Sequence, residues 1–124
     1  MSDMSEIIVE PIRYKSAKSL LKAARKLIAK GNWGKGSYLN PRTGAFCALG
    51  AIYISYFGLG KNAHYHWVDE VTSESDFPSV SKAIIALDEI AHTKYWGSMI
   101  AYNDTLGTTK EDVLAVFDEA IGRV

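Results

Sequence analysis

The sequence has a single cysteine in 124 residues, Cys47, so no internal disulfide can hold the fold. That usage fits a reducing compartment. No acidic residue occurs between Pro11 and Val68, and no charge of either sign occurs from Thr43 to Phe57. The apolar run Ala45 to Phe57 covers about thirteen residues, short of the roughly 20 a helix needs to cross a bilayer. No membrane role is therefore expected. Met1 to Glu10 carries Asp3, Glu6 and Glu10 and lacks a basic stretch followed by an apolar one, so no signal peptide is read there. The expected location is the cytoplasm, or a host's cytoplasm if a virus encodes the chain. Familiar catalytic signatures are missing too. Gly58-Leu59-Gly60-Lys61-Asn62 lacks the spacing and the hydroxyl of a Walker loop, and there is no His-Glu-x-x-His, Gly-x-Ser-x-Gly or zinc-finger cysteine set.

What is present is ordinary in bulk and uneven in layout. The composition is 48% hydrophobic and 23% charged, suited to one globular domain over residues 1–124, with 1–6 expected to be poorly ordered. The net charge is zero, yet ten bases and no acid lie between Pro11 and Val68, against eleven acids and four bases from Asp69 onward. Such segregation flags an electrostatic partner.

Periodicity supplies the elements. Ile7-Ile8-Val9 reads as a short strand that Pro11 confines to an edge. Ser16 caps a helix whose apolar stripe is Ala17, Leu20, Leu21, Ala24, Leu27 and Ile28. Lys15, Lys18, Lys22, Lys26 and Lys30 line its other face. Gly31 is expected to stop it by taking a left-handed conformation. Gly31 to Gly44 is a structured loop with a turn at Asn40-Pro41-Arg42-Thr43-Gly44, and Tyr38-Leu39 can pair with Ala45-Phe46. The uncharged run forms a buried central helix. Cys47, Ala48, Ala51 and Ser55 make a small-residue side, and Gly58 and Gly60 end it. His64 to Val68 alternates like a strand or irregular loop. Phe77 or Asp76 precedes a helix with Pro78 in its first turn, a stripe of Val80, Ala83, Ile84, Leu87, Ile90 and Ala91, and Asp88 and Glu89 facing away. Met99 to Tyr102 extends a helix or forms a short strand. Thr108 and Glu111 match a capping box ahead of the last helix. The fold class is mainly α: a compact bundle of about four helices, near 16–30, 46–57, 79–92 and 109–121, around the buried one, with short β-like pieces.

Several of these pieces resemble a family of small proteins of unknown function from actinobacteria and their phages. The resemblance is carried by Ile100 to Leu114, with its Tyr102-Asn103-Asp104, glycine turn, threonine cap and Val113-Leu114 helix. Gly31-Asn32-Trp33, Gly36-Ser37-Tyr38 and the run from Gly44 to Ala51 carry the rest. It extends over most of the chain from about Ser16, leaving Gly58 to Phe77 unmatched. It implies a shared fold and a phage or actinobacterial origin, and no activity.

Each chemical candidate has a plainer reading beside it. Cys47 at a helix start is a candidate nucleophile, because a helix N-terminus lowers a thiol pKa; His64, His66 or His92 would be the base and Asn103 or Asp104 the orienting group. The plainer reading is a buried thiol against Ala48 and Ala51. His64 and His66, two apart, are a candidate metal pair with Asp69, Glu70 or His92 as third ligand. The plainer reading packs them beside Tyr65 and Trp67. Asn103-Asp104 can present an amide and a carboxylate to a ligand, or make an Asx-type turn before the last helix. Lys18, Lys22 and Lys26 can track phosphates with Trp33 and Tyr38 stacking, or meet the acidic half of a second copy, or be solvated. Trp96, with Trp67 and Tyr102, completes the aromatic set. On balance no cofactor, metal or catalytic set is assigned. The leading expectation is a non-enzymatic module binding a protein partner or a second copy of itself through Lys18, Lys22, Lys26, Trp33, Tyr38, Trp96 and Asn103. A small cysteine-dependent hydrolase or transferase using Cys47 is the rival. Nucleic-acid binding through the first helix is the less favoured third.

Overall fold

A computed structural model describes residues 8–60, 64–65, 77–95 and 97–124. Residues 1–6, His66, Trp67, Trp96 and the acids Asp69 to Asp76 lie outside the described residues, and with them the expectations placed there. The elements run α1 (Ala17–Lys30), α2 (Ala48–Phe57), β1 (Leu59–Gly60), β2 (His64–Tyr65), α3 (Pro78–Tyr95), α4 (Met99–Asp104) and α5 (Lys110–Arg123). The class is mainly α, as expected, with one more short helix, α4, than the four foreseen.

α1 follows its stripe. Ala17, Leu20, Leu21, Ala24 and Ile28 are buried, and the Ser16 hydroxyl accepts the Ser19 amide at 3.1 Å. Gly31 ends the helix, but not in a left-handed conformation: its φ is −99°, in the extended region. Space is the reason for glycine here. A Cβ would stand 2.5 Å from the Leu27 carbonyl oxygen and 2.7 Å from the Phe46 ring.

α2 is the buried central helix, and all ten of its residues are shielded from water. It starts two residues later than periodicity alone suggests, because Cys47 is its N-cap. α1, α3 and α4 pack on it, while α5 lies mainly on α1 and α3. The side left open by the helices is covered by chain. The 31–46 loop lies so close to α2 that a Cβ on Gly50 would fall 1.9 Å from the Tyr38 carbonyl oxygen. The Tyr38 ring meets Tyr53 edge-on, with centroids 5.4 Å apart. Gly58 then turns the chain with φ of +90°, a conformation open to glycine.

The β-like pieces are minimal. Leu59 exchanges two backbone hydrogen bonds of 2.8 Å with Val9, and β1 pairs antiparallel with β2 through Leu59–Tyr65 and Gly60–His64. Within the loop, Phe46 bridges both Trp33 and Leu39, which realises the pairing expected around the Asn40–Gly44 turn.

Two expectations are corrected at the last helices. The capping box uses Thr109 and Asp112, one residue later than Thr108 and Glu111: the Thr109 hydroxyl accepts the Asp112 amide at 3.1 Å and Asp112 accepts the Thr109 amide at 2.9 Å. Either carboxylate length satisfies the motif, and Thr108 is instead buried. Asp88 does not face away; its carboxylate accepts the Met99 amide at 2.7 Å and fastens the start of α4 to α3.

Candidate functional site

The resemblance motifs meet in space. Trp33, in the loop after α1, donates its indole N–H to the Asn103 side-chain oxygen at 2.7 Å, across 70 residues of sequence. The same oxygen accepts the Ala48 amide at 3.0 Å, the first amide of α2. The Asn103 amide nitrogen donates to the Gly34 carbonyl at 3.2 Å and to Asp104 at 3.0 Å. An asparagine has two acceptor positions and two amide protons, and here all four are used. Asn103 is fully buried. Asp104 also accepts the Gly36 amide at 3.0 Å, and Lys35 donates to the Thr105 carbonyl. The pair therefore does not form an Asx turn before α5. It sits at the end of α4 and locks that helix to the loop and to the start of α2. Asn103 and the Trp33 N–H are committed to the fold and point at no ligand.

Cys47 is buried inside the same corner. Its sulfur accepts the Gly50 amide at 3.4 Å, as an N-cap hydroxyl would. The helix-start argument for a lowered thiol pKa fails on balance. Burial raises it most, the amides of Gly50 and Leu49 oppose that, and nearby Asp104 adds to the rise. Among the residues proposed to serve it, His92 is exposed on α3, only the backbone of His64 is described, and His66 is outside the described residues. Among the described residues no group of three His, Cys, Asp or Glu could hold a metal ion.

The charge layout resolves differently from the hub. The basic and acidic halves meet within the molecule, where α1 packs on α5. Arg25 makes a two-pronged pair with Asp118, at 2.5 and 3.1 Å. Glu119 faces Lys94 at 3.9 Å and Arg123 at 3.6 Å. Lys110 donates to the carbonyls of Ala29 and Gly31, at 3.2 and 3.3 Å, and so covers the exposed end of α1 with positive charge. Against this, Lys15, Lys18, Lys22, Lys26 and Lys30 are all exposed and make no ion pair among the described residues. They form a ridge about 20 Å long on a helix that rises about 1.5 Å per residue. Tyr38 lies 39% exposed over α2, apart from this helix face.

Sequence reasoning overlooked what flanks the ridge. A groove of about 540 Å³ runs between the starts of α1 and α3, where Lys15, Lys18 and Lys82 stand over Ala17, Ile85 and Ala86. A smaller one of about 270 Å³ lies on the other side, between Val9, Ile12, Tyr14, Leu27 and the stems of Lys26 and Lys30. The available signal was Ile85, an isoleucine off the buried stripe of α3 and 53% exposed.

A helical domain held by a tryptophan–asparagine hub, with a basic ridge that makes no ion pair among the described residues, is thus the class of protein at hand. The chain belongs to a family of unknown function, the family DUF6197, whose model matches residues 13–123. That span takes in the hub, the ridge from Lys15 and every described helix. No curated protein and no solved structure matches the chain. Among the described residues no helix is long and apolar enough to cross a membrane.

Proposed function

We propose that the protein is a non-enzymatic binding module that meets an acidic partner protein through the lysine ridge of α1, centred on Lys18, Lys22 and Lys26. One observation carries this reading. Three of the four acids of α5, Asp112, Asp118 and Glu119, are engaged inside the molecule, by the Thr109 cap, Arg25, Lys94 and Arg123, while the ridge lysines make no ion pair among the described residues. An acid four residues from a lysine stabilises a helix and neutralises its charge, and α1 has no acidic residue. A second copy is a poorer match, because α5 has few carboxylates left to offer. Nucleic acid is also a poorer match. Trp33, the stacking candidate after α1, has its indole N–H held by Asn103 and Lys35 over its ring, and the domain has no net basic excess. A cysteine-dependent reaction at Cys47 runs against the burial of the sulfur and its raised pKa. On the family resemblance alone, the setting is an actinobacterium or a phage-infected one.

Affinity capture with three baits tests the reading: the wild-type chain, K18E/K22E/K26E and C47A. A protein retained by the wild type and by C47A but lost by the triple variant is the expected result. Capture that survives the triple variant, or is lost with C47A alone, contradicts it.

A further inference from the structure

The ridge says where positive charge is free, but not which side of it a partner lies along. The two flanks differ. On the α3 side, lysines from two helices face one another across the groove: Lys15 and Lys18 from the start of α1, Lys82 from the first turns of α3. The floor between them is apolar. Ala17 and Ala86 are 7% and 6% exposed, and Ile85 stands half out of it. Neither helix has an acidic residue in its first turn, so backbone amide dipoles add to the positive potential there. Glu89 is the one acidic side chain on the rim, which Val124 at the end of α5 also lines. The flank near Lys26 and Lys30 is half the size, and Glu10 also lines it.

We infer that the α1/α3 groove is a docking site for an acidic amphipathic helix of a partner protein, with carboxylates paired to Lys15, Lys18 and Lys82 and an apolar side chain set against Ile85 and Ala86. This rests on the reading above and gives the partner's chemistry. Charge complementarity selects the occupant, and the apolar floor separates it from a purely polyanionic one. A helix laid in a groove presents apolar anchors on one face and charge at its margins. The groove's volume suits one or two such anchors rather than an extended nucleic-acid backbone.

The test uses a designed, fluorescein-labelled helical peptide of about fourteen residues, matched in length to α1, with leucines on one face and glutamates flanking them. Its binding to the full chain is followed by fluorescence anisotropy. K15E/K82E is expected to weaken binding by roughly tenfold, and I85S by about fivefold, while K22E/K26E, on the ridge beside the groove, weakens it by about threefold. All these side chains are exposed, so melting curves are expected to overlay. Groove variants that bind like the wild type overturn the inference while leaving the ridge itself in play, since K22E/K26E reports on that separately. Equal binding of a polyglutamate peptide of the same charge overturns the apolar anchor. Displacement of the peptide by an equimolar DNA duplex overturns the choice of a protein occupant. Tighter binding after D69N/E70Q/E74Q/D76N overturns it too, because the groove would then belong to the chain's own acidic stretch. No binding by the wild-type chain overturns the groove, and the three-bait capture decides the wider reading independently.

Discussion

Asn103 gives both lone-pair positions and both amide protons to Trp33, Ala48, Gly34 and Asp104. Truncation to alanine strands an indole N–H and a carbonyl that are part-buried and a helix-start amide that is buried. Each buried orphan costs about 1–3 kcal/mol, so N103A is expected to lose roughly 3–5 kcal/mol, read as a lower urea midpoint with unchanged slope. A loss below about 1 kcal/mol would mean that water already serves these groups. Cys47 gives a second residue-scale expectation. Its folded thiol pKa is raised by burial, so its contribution to stability is complete below the unfolded thiol's ordinary value and is lost as pH rises through the folded one. Alkaline destabilisation from about pH 8.5 upward is therefore expected in the wild type and reduced in C47A, measured by urea titration across pH. The same burial should leave the thiol slow toward a disulfide reagent until urea is added; rapid native labelling would contradict it.

The elements show which parts of the fold were legible and which were not. The stripes of α1, α3 and α5 were readable because a 3.6-residue period survives in sequence whatever the partner helix is. The burial of α2 was readable from its lack of charge. Caps were readable only to within a residue. Thr108-Thr109-Lys110-Glu111-Asp112 supports two overlapping capping boxes, and choosing between them needs the chain's approach to α5. T109A is expected to cost about 1 kcal/mol and E111A close to nothing, in thermal melts. Asp112 belongs to the true box. Its pKa is lowered by the Thr109 amide first and the Thr109 hydroxyl second. A lowered folded pKa stabilises above the unfolded value and loses that as pH falls through the folded one. The difference between wild type and D112N should thus shrink below the ordinary carboxylate range. Contacts between distant segments carried no local signal. Nothing in Trp33 or in Asn103 alone announces a bond across 70 residues, and Gly50 reads as a helix-weakening glycine until the Tyr38 carbonyl is seen lying on it. The resemblance picked out both stretches as motifs, and their meeting gives those motifs a physical reason.

At the scale of the whole molecule, the zero net charge conceals two populations of lysine. One is absorbed by the fold: Lys110 holds the end of α1, and Lys35 holds the Thr105 carbonyl beside the hub. The other is the α1 ridge, which serves nothing among the described residues. Sequence segregation suggested electrostatic pairing without saying where. The structure places part of it inside, at Arg25–Asp118, where an exposed pair contributes at most about 1 kcal/mol. What is left over on α1 is the basis of the proposed binding surface. Lysine acylation footprinting, read by mass spectrometry, tests that division most directly. The account predicts fast modification of Lys18, Lys22 and Lys26 and slow modification of Lys35 and Lys110 in the free protein, with the ridge lysines, and Lys82 beside them, becoming slow once the captured partner is bound. Ridge lysines that react as slowly as Lys110 in the free protein, or that stay fast in the complex, would contradict it.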